Sequence, residues 1–210
     1  MRVAKSASRP TCVPERGFTL AEMLVASAVA GMLLLTLFMI YRICASAWMK
    51  GDTQTRLRQS AMVASEKISR DLERSIYESV SISTDRRGIS FLSALDANGQ
   101  FQFNTASQEP IWQNYLVYYL DSGSRELRRR AVSVAGAPQQ TVPGAIESFG
   151  PNQPVDTYMV GGQAVAHGLD FCEFAVLNKL LRLKLRAQAK RYGSERLESF
   201  ELETLTSLRN

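Results

Sequence analysis

The chain has 210 residues, 25 of them Lys or Arg and 20 Asp or Glu, for a formal charge of +5. With 45% hydrophobic and 21% charged residues it has the composition of a globular domain plus one extra element, which excludes a collagen-like, disordered or multi-span membrane protein. The charge is uneven: Arg2, Lys5, Arg9 and Arg16 against Glu15 place +3 in residues 1–17 and leave only +2 for the rest, too little for a phosphate-binding surface, so no nucleic-acid partner is expected.

The basic leader is followed by Glu15-Arg16-Gly17-Phe18-Thr19-Leu20-Ala21-Glu22-Met23-Leu24 and then by 19 uncharged residues, Met23 to Tyr41. At about 1.5 Å per residue such a helix crosses the roughly 30 Å hydrocarbon core of a bilayer. The positive-inside bias keeps the leader cytoplasmic and puts everything after Arg42 outside the cytoplasm. A secretory signal would be cut after its apolar run; here the small residue, Gly17, precedes it. Glu22 is a carboxylate at the edge of the apolar run, stabilised by the helix dipole but calling for a positive partner if it faces lipid. The nearest candidate is the Phe18 amine of a neighbouring helix. The competing reading places Glu22 at the headgroups of an ordinary signal anchor. Gly31 is either a close-packing point between helices or a tolerated glycine.

This constellation resembles the type IV pilin superfamily, whose signal reads basic leader, Gly, then Phe-Thr-Leu-x-Glu opening an apolar helix. The resemblance implies that a prepilin peptidase cuts between Gly17 and Phe18 and methylates the new Phe18 amine, with Arg16, Thr19 and Leu20 in the signal motif. It further implies that Glu22 pairs with the amine of an adjacent subunit and sets the axial stagger.

Beyond the membrane segment, Leu57, Ala61, Ala64, Ile68, Leu72 and Ile76 recur at steps of three and four, with Arg56, Arg58, Glu66, Lys67, Arg70, Asp71 and Glu73 between them. This predicts one buried stripe on a helix running from about Thr19 to Glu78, and no proline interrupts the chain between Pro14 and Pro110. Strand signals follow at Val80–Ser83, Ile89–Leu92, Gln100–Phe103, Tyr115–Leu120, Glu126–Val134, Val165–Val176, Leu180–Ala187 and Leu197–Leu208, most of them separated by turn-like breaks. One long helix and then many strands predict an α+β fold with an antiparallel sheet. The expected organisation is a cleaved leader (1–17), a membrane-spanning half-helix (18–43), an extracytoplasmic half-helix (44–79) and a sheet domain (80–210).

Leu181, Leu183 and Leu185 alternate with Arg182, Lys184 and Arg186, while Phe200 and Leu202 alternate with Glu201 and Glu203. Placing Leu185 opposite Leu202 around Gly193 puts Lys184 opposite Glu203 and Arg186 opposite Glu201, so both faces match in one register. Arg128-Arg129-Arg130 on a strand alternates between faces, cannot form one patch, and reads as a solvated edge or a contact to an acidic neighbour. Residues 136–162, rich in Pro and Gly, read as a long irregular loop, either a partner-binding excursion or a variable surface segment. Cys12, Cys44 and Cys172 have no disulfide or zinc spacing, a bond from Cys44 to Cys172 is not expected, and neither metal nor cofactor is implied. His167 is the lone histidine and reads as a surface or strand-end residue, without the motifs of a membrane-tethered enzyme.

Within the superfamily the chain is most similar to the J-type minor pseudopilins of type II secretion. The similarity lies in Ala21-Glu22-Met23-Leu24, in Tyr115–Leu120 followed by Glu126-Leu127-Arg128-Arg129, and in the ending Ser207-Leu208-Arg209-Asn210. It lacks the C-terminal disulfide loop of common major pilins and the acidic calcium loop of major pseudopilins. The resemblance implies a non-enzymatic subunit of a pseudopilus tip in the bacterial inner membrane, with a periplasmic C-terminal domain. Its partners would be the peptidase, other pseudopilins through the helix, and membrane lipid. A minor pilin of a type IV pilus, serving adhesion, motility or DNA uptake, is the first alternative, and a membrane-anchored extracytoplasmic enzyme the second.

Overall fold

A computed structural model describes residues 17–96, 99–134, 144–148, 153–190 and 195–208. The leader with Arg16, Cys12, the Gly193 turn, the ends Arg209 and Asn210, and much of the 136–162 loop lie outside the described residues. The chain divides into two compact units, residues 1–47 and 48–210. Helix α1 (Leu20–Leu72) contributes to both.

In the first unit α1 carries no buried residue; apolar on every side, it has no single face to turn to a sheet and is the kind of helix that lipid or other apolar helices cover. In the second unit the helix becomes amphipathic, and Leu57, Ala61, Ala64, Ile68 and Leu72 are buried as the stripe predicts. The helix ends at Leu72 rather than near Glu78. Ser75 and Ser79 are the cause: the Ser75 N–H donates to the Leu72 carbonyl at 2.9 Å, and the two buried hydroxyls face each other at 3.1 Å. Ser79 Oγ also accepts the Leu92 N–H at 3.1 Å, so these side chains divert the backbone from helix into a 3-10 turn at Tyr77–Ser79.

The strands are β1 (Ser81–Ile82), β2 (Gly88–Ser93), β3 (Asn114–Asp121), β4 (Glu126–Ser133), β5 (Gln163–His167), β6 (Leu169–Leu177), β7 (Leu180–Lys190) and β8 (Leu197–Ser207), with a one-turn helix α2 (Val155–Tyr158) before β5. All pairings are antiparallel, so the α+β expectation holds, but the strands form two sheets: β1-β2-β3-β4-β5 and β6-β7-β8. The single strand expected over Val165–Val176 is two strands in different sheets. Gly168, at φ +74°, breaks it, a left-handed turn that a residue with a Cβ resists. The strand expected at Gln100–Phe103 is reduced to two isolated bridges, Leu95 to Phe101 and Phe103 to Pro110.

Two apolar cores result. In the first, Leu57, Ala64, Ile68 and Leu72 of α1 pack with Phe91, Leu116, Tyr118, Phe174, Leu181, Leu183 and Leu185 from both sheets. Burying each large side chain of this kind is worth about 1.5–3 kcal/mol. The second lies on the opposite face of β3 and contains Trp112, Tyr115, Val117, Tyr119, Ile146 and Val155. Tyr115–Leu120 is an unbroken apolar run because β3 is buried on both faces. Ile146 and Val155 correct the reading of 136–162 as a surface excursion, since its described parts contribute core residues. The terminal hairpin adopts the expected register, with Leu185 opposite Leu202, Lys184 opposite Glu203 and Arg186 opposite Glu201.

Candidate processing and assembly site

Thr19 and Glu22 form a reciprocal cap at the start of α1. The Thr19 carbonyl accepts the Met23 N–H at 3.1 Å, the first bond of the helix, which makes Thr19 the N-cap and Glu22 the third helical residue. Glu22 Oε2 accepts the Thr19 N–H at 2.9 Å and the Thr19 hydroxyl at 3.0 Å, and the Glu22 N–H donates to Thr19 Oγ1 at 3.3 Å. Two of the four amides that a helix N-terminus leaves without partners are thereby satisfied, and the carboxylate sits at the positive end of the dipole. In the signal motif Thr19 is one letter among several; in the fold it is also the cap. Its capping role is legible in the same letters, because Ser/Thr-x-x-Glu before an apolar run is a capping box.

Gly17 and Phe18 precede the cap in exposed chain without regular secondary structure, and Phe18 is 80% exposed. A Cβ added at Gly17 would meet nothing within 4 Å, so the described fold imposes no steric requirement for glycine there. The same holds at Gly31. Leu20 is 82% exposed, and Met23, Leu24, Leu34, Phe38 and Ile40 are all more than half exposed. The first half of α1 is long and apolar enough to cross a membrane, and none of its most apolar stretch is buried within the chain. Near its end Met39, Arg42, Ile43 and Ser46 line a shallow, open groove, with Arg42 bringing the first charge after Glu22. The structure thus brings Gly17, Phe18, Thr19, Leu20 and Glu22 together on one exposed helix start.

Other singled-out residues fall elsewhere. Arg128, Arg129 and Arg130 are not a solvated edge, since β4 lies between β3 and β5. Arg128 bonds Glu126 at 2.8 Å and approaches Asp121 at 3.4 Å; Arg130 donates to the carbonyls of Tyr158 and Val160. Arg129 points to the opposite face and donates to Asp71 Oδ2 at 3.0 Å. Asp71, one of the charged residues between the apolar positions of the stripe, has a side chain only 1% exposed. Its Oδ2 also accepts the Tyr118 hydroxyl at 2.6 Å, and Lys67 stands 3.8 Å from Oδ1. Burial pushes the Tyr118 phenol up, and the adjacent Asp71 carboxylate adds to the shift. The missed signal is position: Asp71 follows Ala64 and Ile68 at the stripe's own spacing.

Three further singled-out residues are placed. His167 ends β5, exposed, with Nδ1 3.0 Å from Glu126 Oε1. Cys44 is exposed and Cys172 buried, both as free thiols, and burial pushes the Cys172 thiol well up. Among the described residues no group of three His, Cys, Asp or Glu side chains could hold a metal.

Residues 14–38 match the family model for the prokaryotic N-terminal methylation motif. Neither a curated protein nor a solved structure matches the chain significantly. The motif together with the long apolar helix and the antiparallel sheets behind it makes the chain type IV pilin-like, and it implies processing by a prepilin peptidase and assembly with other pilin-like subunits.

Proposed function

We propose that this pilin-like chain is a minor pseudopilin, a non-enzymatic subunit of the pseudopilus tip of a type II secretion system. In this reading the precursor sits in the inner membrane as a single-pass protein with its sheet domain in the periplasm. A prepilin peptidase cuts between Gly17 and Phe18 and methylates Phe18. The observation that carries the reading is the methylation motif at 14–38, placed on a capped helix whose most apolar stretch is buried by none of the described residues.

The capping box gives cleavage a physical consequence. Before the cut the Phe18 nitrogen is a neutral amide; afterwards it is a cation one residue from Thr19, at the positive end of its own helix, where it is electrostatically disfavoured. Glu22 spends Oε2 on Thr19 and has Oε1 for a second partner. A neighbouring subunit's Phe18 methylammonium satisfies that oxygen, and in lipid each charge is far less costly paired than alone. The stagger between helices then follows from one ion pair. The energy for export comes from a separate ATPase, because the sequence has no phosphate loop.

The test is the intact mass and N-terminal sequence of the protein from its own host membranes. A chain starting at N-methylated Phe18 supports the reading; an uncut chain, or one trimmed after the apolar run, overturns it. A type IV pilus minor pilin would be processed identically, so the second arm is deletion: loss of secretion with surface motility intact supports the pseudopilin, and the reverse result supports the pilus subunit.

A further inference from the structure

We infer that the outer edge of β8 is a docking site for an extended strand of another protein that carries Lys or Arg at two alternate positions. Every second residue of an edge strand directs its N–H and C=O away from the sheet. β8 pairs with β7 through all eleven residues without a bulge, and it ends the β6-β7-β8 sheet, so its other side has no strand partner among the described residues. The opposite edge differs: the Phe174 N–H of β6 donates to the Arg86 carbonyl at 2.9 Å and the Leu169 N–H to the Arg125 carbonyl at 3.0 Å. In the five-stranded sheet the edge strands have two and five residues.

Long edges are normally blunted by Lys, Pro, a bulge or shortness. β8 has none of these, and its only charges are three acids, which repel an acidic strand but not a basic one: its sequence is Leu-Glu-Ser-Phe-Glu-Leu-Glu-Thr-Leu-Thr-Ser. Its solvent face runs Leu197, Ser199, Glu201, Glu203, Leu205. Leu197 and Leu205 are 59% and 60% exposed, and the Glu201 and Glu203 side chains 76% and 53%. These carboxylates are only loosely held from the β7 side, Glu203 at 3.8 Å from Lys184 and Glu201 at 4.0 Å from Arg186. The other face of β8 is committed to α1, with Thr204 bonded to Ser65, Thr206 to Ser69, and Arg58 stacked over Phe200.

Charge selects the occupant. A second copy of β8 laid antiparallel about Leu202 would set Glu201 against Glu203 twice, and like charges directly opposite are destabilising. The chain shows the favourable alternative in β7, where Arg186 and Lys184 face those same glutamates and Leu185 faces Leu202. A strand of that pattern on the free side would satisfy the open backbone groups and the outward carboxylates together.

The probe is an eleven-residue peptide with the sequence of Leu180–Lys190, added to the full-length chain in detergent micelles. Binding is read by fluorescence anisotropy and backbone protection by hydrogen exchange. Saturable, salt-weakened binding that slows exchange across 197–207 is expected. E201K/E203K should weaken it at least tenfold, about 1.4 kcal/mol, and E201Q/E203Q, which does not set new cations against Lys184 and Arg186, should weaken it severalfold with an unchanged melting curve. Four results overturn the inference: no slowing at saturating peptide, equal affinity for E201Q/E203Q, equal binding of a Leu197–Ser207 peptide, or faster exchange in β7, which would mean strand displacement.

Discussion

Between Leu20 and Ala47 α1 buries none of its side chains, whereas between Leu57 and Leu72 the same helix buries seven. The difference is one of pattern. The first half is apolar on every side and has no preferred face, so its partners must be lipid or other apolar helices. The second half alternates apolar and charged residues with helical spacing and folds against its own sheets. One half is therefore expected to decide where the protein goes and the other whether it folds.

The sharpest way to break that division is to make the same kind of change in each half. Ile68 is fully buried between both sheets, and Ile68→Ala should cost about 2–5 kcal/mol by deleting apolar contact and leaving a cavity. Leu34, 67% exposed, should give a Leu34→Ala variant whose sheet domain melts as the wild type does in micelles. Thermal unfolding followed by near-ultraviolet circular dichroism checks both, and comparable losses would mean that the halves are not separable.

Asp71 sharpens the contrast by placing a charge inside the folded half. Asp71→Ala leaves Arg129 without its carboxylate and the buried Tyr118 hydroxyl without its acceptor, an expected loss of about 3 kcal/mol. Replacing the whole group, Asp71→Leu with Arg129→Met and Tyr118→Phe, should recover most of it, because the cost lies in stranding polar groups rather than in losing a bond. Denaturant titration of the two variants measures the gap; a triple variant no better than Asp71→Ala would show that the group contributes net stability.

Where periodicity and charge agree, the sequence is readable. The stripe from Leu57 to Leu72 and the Leu185–Leu202 register could be read because side-chain direction follows from spacing, and opposite charges on one face exclude a slipped pairing. The division into two sheets could not, because it turns on the left-handed backbone at Gly168, one residue inside an otherwise continuous strand signal. Ile146 and Val155 were hidden for a related reason: each is an isolated apolar residue among prolines and glycines, with no period to point it inward. At the helix start Gly17, Phe18 and Glu22 were legible as a group, but the bonds between Thr19 and Glu22 depend on where the helix begins.

A smaller effect is expected at that start. Thr19→Ala removes the N-cap oxygen and one donor to Glu22, at about 1 kcal/mol. Amide exchange in the first turn should accelerate roughly fivefold, with exchange in β3 unchanged. If β3 responded equally, the cap would be coupled to the sheet domain and the two halves would share one unfolding event.

The mildest expected perturbation is acid, and its sign follows from the turn between β3 and β4. The Ser124 hydroxyl holds the Asp121 carboxyl below its ordinary value, aided by the amides of Gly123 and Ser124 and by Arg128. The Arg128 hydrogen bond does the same for Glu126, aided by Ser124 and His167. Both groups bind protons more weakly folded than unfolded. Their contribution is complete above the unfolded values, near pH 4 to 4.5, and is lost as pH falls through the lower folded values. From these groups stability should be flat between pH 5 and 8 and decline below about pH 4, by an amount that salt reduces, since both carboxylates lie at the surface. Glu126→Gln with Asp121→Asn should flatten part of that decline in acid unfolding curves. An unchanged acid slope would assign it to other carboxylates of the sheet domain.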